Sequence, residues 1–166
     1  VMDGSSVTYP LMAVEGKQKL QNTINGELEK VWQPYAAALG KKSCELDYTV
    51  PFAGSDMMSL MFFGVMGEGN EEIFERLPLN ISLSDGKVLD ISNVLDVENP
   101  DLLPVLALLG AKDKVDFTKE VPKSWYYNGK NLVFCQKMKD GTGWNEAAIP
   151  ASELEKFMLN KNLLKK

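Results

Sequence analysis

Leu77-Pro78-Leu79-Asn80-Ile81-Ser82-Leu83-Ser84, followed at once by Asp85-Gly86 and then by Lys87-Val88-Leu89-Asp90-Ile91, decides how the rest of the chain folds. Leucine and isoleucine alternate here with Pro78, Asn80, Ser82 and Ser84. That is the two-residue period at which strand side chains point to opposite faces, so the stretch predicts a strand with one apolar and one wet face. Asp-Gly tolerates the positive φ of a tight turn, and apolar character resumes after it, so the whole reads as a β-hairpin.

Toward the N-terminus, Met57 to Met66 is a nearly continuous apolar run, as expected of a central strand covered on both faces. Leu46 to Val50 reads as a further strand. Toward the C-terminus, Asn128-Gly129 joins Trp125-Tyr126-Tyr127 to Leu132-Val133-Phe134-Cys135 in a second hairpin. Asp140-Gly141-Thr142-Gly143 marks a third turn, before Asn145 to Ile149. Three helices punctuate the strands. Residues 15–33 carry Leu20, Ile24, Leu28, Val31 and Trp32 on one stripe. Pro34 kinks or ends that helix, and Tyr35 to Leu39 add one turn up to Gly40. Asn99-Pro100 opens a second helix running towards Leu109-Gly110. The third starts at Ser152-Glu153-Leu154-Glu155, a capping-box spacing, and buries Leu154, Phe157 and Met158. The Gly-Ser start and the Lys161–Lys166 finish read as frayed ends. Clustered hairpins without strict βαβ alternation predict an α+β fold: a mainly antiparallel sheet packed against one long N-terminal helix and two shorter ones.

The 166 residues form one expected domain, 1–166, long enough to bury a core without staples. Hydrophobic residues at 45% and charged residues at 25% are those of a soluble globular chain. The net charge of −5 repels phosphate, which argues against nucleic acid as a partner. There is no histidine, so Ser-His-Asp and Cys-His nucleophile systems, His-ligated zinc and a histidine pH switch are all excluded. No stretch approaches the ~18–20 apolar residues of a membrane span. The first residues carry no secretion signal, but a chain beginning with Val is compatible with one lost upstream.

Several constellations resolve into ordinary structure. Ser84-Asp85-Gly86-Lys87 has the Ser-x-x-Lys spacing of penicillin-recognising acylases, but it falls on a hairpin turn where Lys cannot fold back on Ser. Glu68, Glu71, Glu72 and Glu75, beside Gly67, Gly69 and Asn70, read as a solvated loop without calcium-loop register. Met57 and Met61 fall on one strand face and Met58 and Met66 on the other, so they fill core and hold no metal. Cys44 and Cys135 read as small buried hydrophobes, or as a disulfide if the chain is exported. Asn80-Ile81-Ser82 fits a glycosylation acceptor, and Gly141 and Gly143 do not extend to a phosphate loop. The aromatics are more informative. Strand alternation buries Tyr126 and exposes Trp125 with Tyr127, or the reverse, and Trp144 follows a Gly-Thr-Gly turn where burial is hard. Exposed aromatics beside polar loops stack on sugars or anchor proteins, so Trp125, Tyr127 and Trp144 are the candidate ligand-binding residues. No catalytic residue and no cofactor are expected.

The order of Ile24-Asn25, Asp47-Tyr48-Thr49-Val50, Ser59-Leu60, Leu83 through Ile91, Tyr127, Leu132-Val133-Phe134, Ile149-Pro150 and Glu153-Leu154 carries a family likeness. Across roughly residues 9–159 the chain resembles the uncharacterised C-terminal extracytoplasmic domain of lysozyme-sensing anti-sigma-V factors and of some peptidoglycan deacetylases. Where that family has a Tyr- and Gly-rich segment ending in His, this chain has the acidic Gly64 to Glu75. Lys137 to Gly141 stands in place of the family's Tyr-rich stretch, so no functional residue carries over. The resemblance implies a non-enzymatic binding or sensing domain of the bacterial envelope, secreted or lipid-tethered through an upstream anchor. Its expected partner is a basic protein such as a cell-wall hydrolase, or a wall glycan. The alternative is an enzyme or accessory module acting on wall polysaccharide through two carboxylates about 5–10 Å apart. A purely structural module would instead show a large apolar patch.

Overall fold

The computed structural model describes residues 4–166, and the chain is α+β with two mostly antiparallel sheets. Helix α1, Gln18–Ala38, buries Ile24, Leu28, Tyr35 and Ala38. Pro34 lies inside it, and the helix runs on for the extra turn because the buried Tyr35 anchors it beyond the proline. The four-stranded sheet has the order β1 (Ser6–Val7), β2 (Cys44–Ala53), β3 (Met57–Glu68), β4 (Glu71–Ser82). Its first pair is parallel and the others antiparallel. The three-stranded antiparallel sheet has the order β5 (Trp125–Tyr127), β6 (Asn131–Lys137), β7 (Trp144–Pro150). Helix α2, Leu102–Leu109, lies between the sheets in sequence. The helix begins two residues later than Asn99-Pro100 suggests, with Asp101 as its N-cap and no side-chain cap; Asn99 Oδ1 accepts the Asp101 N–H at 3.0 Å in the turn that precedes it. No described helix is long and apolar enough to cross a membrane.

Alternation along β3 divides the core in two. Met58, Leu60 and Phe62 face α1 together with Leu46 and Ile81. Met57, one residue out of phase, joins Phe52, Leu102, Leu106, Trp125, Phe134, Ile149 and Phe157 in the second core. The central strand is thus covered on both faces, as its apolar run indicates. Gly64 of this strand faces the Tyr35 ring; a Cβ there would lie 2.0 Å from the hydroxyl oxygen, so only glycine fits beneath the helix.

Five expectations change. The wet face of Leu77–Leu83 is dry: Asn80 is 3% and Ser82 7% exposed. Ser59 Oγ donates to its cross-strand partner Asn80 Oδ1 at 2.6 Å, and Asn80 Nδ2 donates to the Trp125 carbonyl at 2.7 Å. The Tyr127 N–H donates to Ser59 Oγ at 3.1 Å. β5 is an edge strand, and these side chains satisfy the backbone groups that β6 leaves free, which joins the two sheets. After Asp85-Gly86 the chain forms a single bridge, Ile81 to Val88, and then a 3₁₀ turn at Ile91–Asn93 rather than a full second strand. Gly86 takes φ +76° and packs against Thr23 of α1. The segment Gly67 to Glu75 is strand rather than loop, closed by a two-residue turn at Gly69-Asn70. The third helix, Ala151–Phe157, is 3₁₀ with no side-chain cap, although Leu154 and Phe157 are buried as expected. The ends are also better anchored than their composition indicates: Ser6–Val7 is strand, and Lys161–Leu164 is a 3₁₀ turn.

Candidate functional site

The β3–β4 hairpin is longer than the layers that cover it. Its register pairs Val65 with Phe74 and Phe63 with Arg76, and these four share one face. Phe63 is 40% and Phe74 52% exposed, large apolar area for which the core has no room. β7 begins beside them. Trp144 Nε1 donates to the Phe74 carbonyl at 3.2 Å, and Glu146 pairs with the Arg76 guanidinium. The same guanidinium stands 5.8 Å from the Phe63 ring centroid, a cation–π distance. A second ion pair, Lys137 to Glu75 at 3.3 Å, ties β6 to the hairpin. Together Phe63, Val65, Phe74, Arg76 and Trp144 line a cleft of about 260 Å³, with Thr142 and Gly143 also in its lining. Past Arg76 and Trp144 lies an open groove of about 550 Å³ bordered by Lys30, Pro34 and Lys123.

The Arg76–Glu146 pair has Cys135 beside it, its Sγ 3.9 Å from Glu146 Oε1. Burial pushes the Cys135 thiol up to about 12, with the neighbouring Glu146 carboxylate acting in the same direction. Tyr126 is likewise raised to about 12 by burial, then by Glu146. A thiol so displaced is a poor nucleophile at neutral pH. Among Asp residues, Asp116 and Asp140 are held below the ordinary range by hydrogen bonds from Thr118 and Thr142, and Asp85 by the Lys87 N–H, all within their own turns.

The structure separates the residues singled out from sequence. Trp125 is 1% and Tyr127 6% exposed; both lie in the second core, Tyr127 edge-on to Phe52, so neither offers a ring face for stacking. Alternation takes the option that leaves Tyr126 half-buried. Trp144 alone of the three reaches the surface. Glu68, Glu71 and Glu72 stand exposed about the hairpin turn, Glu68 and Glu71 as cross-strand partners, while Glu75 is held by Lys137. Ser84 bonds Ser82 and Lys87 pairs with Asp85, so the Ser-x-x-Lys spacing is turn chemistry. Cys44 and Cys135 are both buried and unpaired, on different sheets. Among the described residues no three Cys, Asp or Glu side chains are grouped to hold a metal ion. The sequence does not show Phe63, Phe74 and Arg76 as a site, because Gly69-Asn70 reads there as part of a loop. Taken as a two-residue turn, it fixes the register that brings them together.

The fold and the site describe a small two-sheet domain with an aromatic and charged surface at the end of a projecting hairpin. No protein-family model matches the chain, and no curated protein does. Solved structures do match. A member of the DUF3298 family from Bacteroides fragilis superposes with TM-score 0.57 at 14% identity, over 93% of this chain and 74% of that one. A DUF3298 family protein from Pseudomonas aeruginosa gives TM-score 0.55, also at 14% identity, over 84% of this chain and 72% of that one. The shared property is the fold, that of an uncharacterised domain.

Proposed function

We propose that the protein is a non-enzymatic binding domain of the bacterial envelope that captures a basic protein partner at the β3–β4 hairpin. One observation carries the reading: exposed Phe63 and Phe74 lie beside Trp144 and Arg76, with Glu68, Glu71 and Glu72 at the adjoining turn. Aromatic and arginine side chains at the centre of a surface supply most of the energy of protein interfaces. Carboxylates at the rim, in a chain of net charge −5, speed encounter with a cationic partner. The ordered resemblance to the anti-sigma-V and deacetylase domains supports an extracytoplasmic home and a wall hydrolase as the partner class.

The test is calorimetry with a lysozyme-type hydrolase, carried out in parallel with soluble wall glycan. Phe74→Ala should weaken hydrolase binding by about 30-fold or more, the effect of an interface hot spot. A Glu71→Gln, Glu72→Gln double substitution should mainly slow association and reduce its salt dependence. Absence of hydrolase binding, or affinity indifferent to Phe74, overturns the reading.

A further inference from the structure

A separate cleft of about 540 Å³ lies where the chain after β4 passes the loop before β5, a volume within the ~300–1,000 Å³ of small-ligand sites. Its floor is apolar: Ile91 and Val121 are buried, Val97 and Leu103 half-buried. One wall, from residues 90–98, presents Asp90, Ser92 and Glu98. The other, from residues 119–123, presents Lys119, Glu120 and Lys123. The first wall therefore carries two negative charges and the second a net positive one. All five charged side chains are exposed, and none takes part in the ion pairs found among the described residues.

The second wall belongs to a long connection without helix or strand between Leu109 and Trp125. Loops above about 12–15 residues are uncommon in compact domains and usually serve a function. This one is fixed: Val115, Phe117 and Val121 are 8%, 3% and 8% exposed, and the Asp116 N–H donates to Gln136 Oε1 at 2.9 Å. The cleft is thus formed before anything enters it, which lowers the ordering cost of binding.

Opposite charges held on two walls across an apolar floor do not match a neutral sugar or a polyanion. They match a molecule with an ammonium at one end, a carboxylate at the other and an apolar body. We propose that this cleft binds a short zwitterionic peptide, its ammonium toward Asp90 and Glu98, its carboxylate toward Lys119 and Lys123, and an apolar side chain against Ile91, Val97, Leu103 and Val121. Glu120 offsets one of the lysines, so a ligand bearing only a carboxylate gains little there. Lys123 also borders the groove beside Trp144, whereas Glu98 and Lys119 do not, so variants of the latter two report on this cleft alone.

The probe is the tripeptide Ala-Leu-Ala with free termini, titrated into methyl-labelled protein and followed by NMR. Methyl shifts at Ile91, Val97, Leu103 and Val121 should saturate together. N-acetylation or C-amidation of the probe, and equally Glu98→Gln or Lys119→Gln, should weaken binding by about 10-fold or more, the loss of one charge-assisted hydrogen bond. Phe74→Ala should leave the titration unchanged, which separates this site from the hairpin. Urea unfolding of each variant should stay at the wild-type midpoint. Absence of a saturable shift at about 10 mM peptide, well above a ~1 mM dissociation constant, overturns the proposal. So does equal binding of the capped probes.

Discussion

The two halves of the β3–β4 hairpin share a register and a twist, yet one is core and the other is surface. From Met57 to Phe62, with Leu79 to Ser82 opposite, every side chain is buried, by α1 on one face and by the second sheet on the other. From Phe63 to the Gly69-Asn70 turn and back to Arg76, the same pair of strands outruns its cover and exposes two phenylalanines and three glutamates. Strand pairing supplies the rigidity in both halves; only what lies across the faces differs. A hairpin that outgrows its layers presents apolar side chains on a stiff backbone at little entropic cost, which is what a recognition surface requires.

The sharpest way to break this comparison is at its border, where Phe62 and Phe63 are neighbours in sequence and opposite in face. Phe62 is 0% and Phe63 40% exposed. Phe62→Ala should cost about 3–5 kcal/mol and Phe63→Ala less than about 1 kcal/mol by urea denaturation. Equal losses would mean that the upper half is covered in solution. Next comes the polar junction that gives the lower half its second cover. Asn80→Ala orphans the Trp125 carbonyl and the Ser59 hydroxyl, both buried, and should cost about 2–3 kcal/mol. Gly64→Ala drives a Cβ into Tyr35 and should cost about 1–3 kcal/mol, with part restored when Tyr35→Phe removes the clashing oxygen.

The smallest effect at neutral pH concerns Cys135 and Tyr126, the two groups that burial and Glu146 hold protonated. Cys135 keeps its proton in the folded state up to about 12, against an ordinary value of 9.0, and Tyr126 does so up to about 12 against 10.0. Between those values the folded state binds more protons than the unfolded one, so stability falls as pH rises. The contribution is fully present below about pH 9 and lost on the way to 12. Urea midpoints measured upward from neutrality should therefore decline through that window, and Cys135→Ala should delay the onset. A flat profile would contradict the burial of both groups.

Much of the architecture was legible because local patterns and tertiary structure agree. The stripe Leu20, Ile24, Leu28 became the buried side of α1, and the Asn128-Gly129 and Asp140–Gly143 turns join β5, β6 and β7 as expected. Period-two alternation fails at Asn80 and Ser82 because it reports polarity and not exposure: Asn80 faces another sheet's edge, and Ser82 is buried with its hydroxyl against Ser84. Ser6–Val7 carries too little pattern in two residues to announce a strand; its pairing is made by β2. At the site, only Trp144 was recoverable, from the turn that precedes it. Alternation fixes which residues share a face but not which face is buried; the sequence leaves both options open for Trp125 and Tyr127, and the structure buries them. Asp90, Glu98, Lys119 and Lys123 come from segments far apart in sequence, and no local spacing links them.

The buried Asn80 has a consequence for how the protein can be made. Asn80-Ile81-Ser82 satisfies the acceptor rule for N-linked glycosylation, which acts on chains not yet folded. A sugar attached there would take up the amide nitrogen that holds the Trp125 carbonyl and would wedge the β-layers apart. Production in a secreting eukaryotic host should therefore yield misassembled glycoprotein, whereas Asn80→Asp, which removes the acceptor, would trade that obstacle for an ionised group in a dry seam.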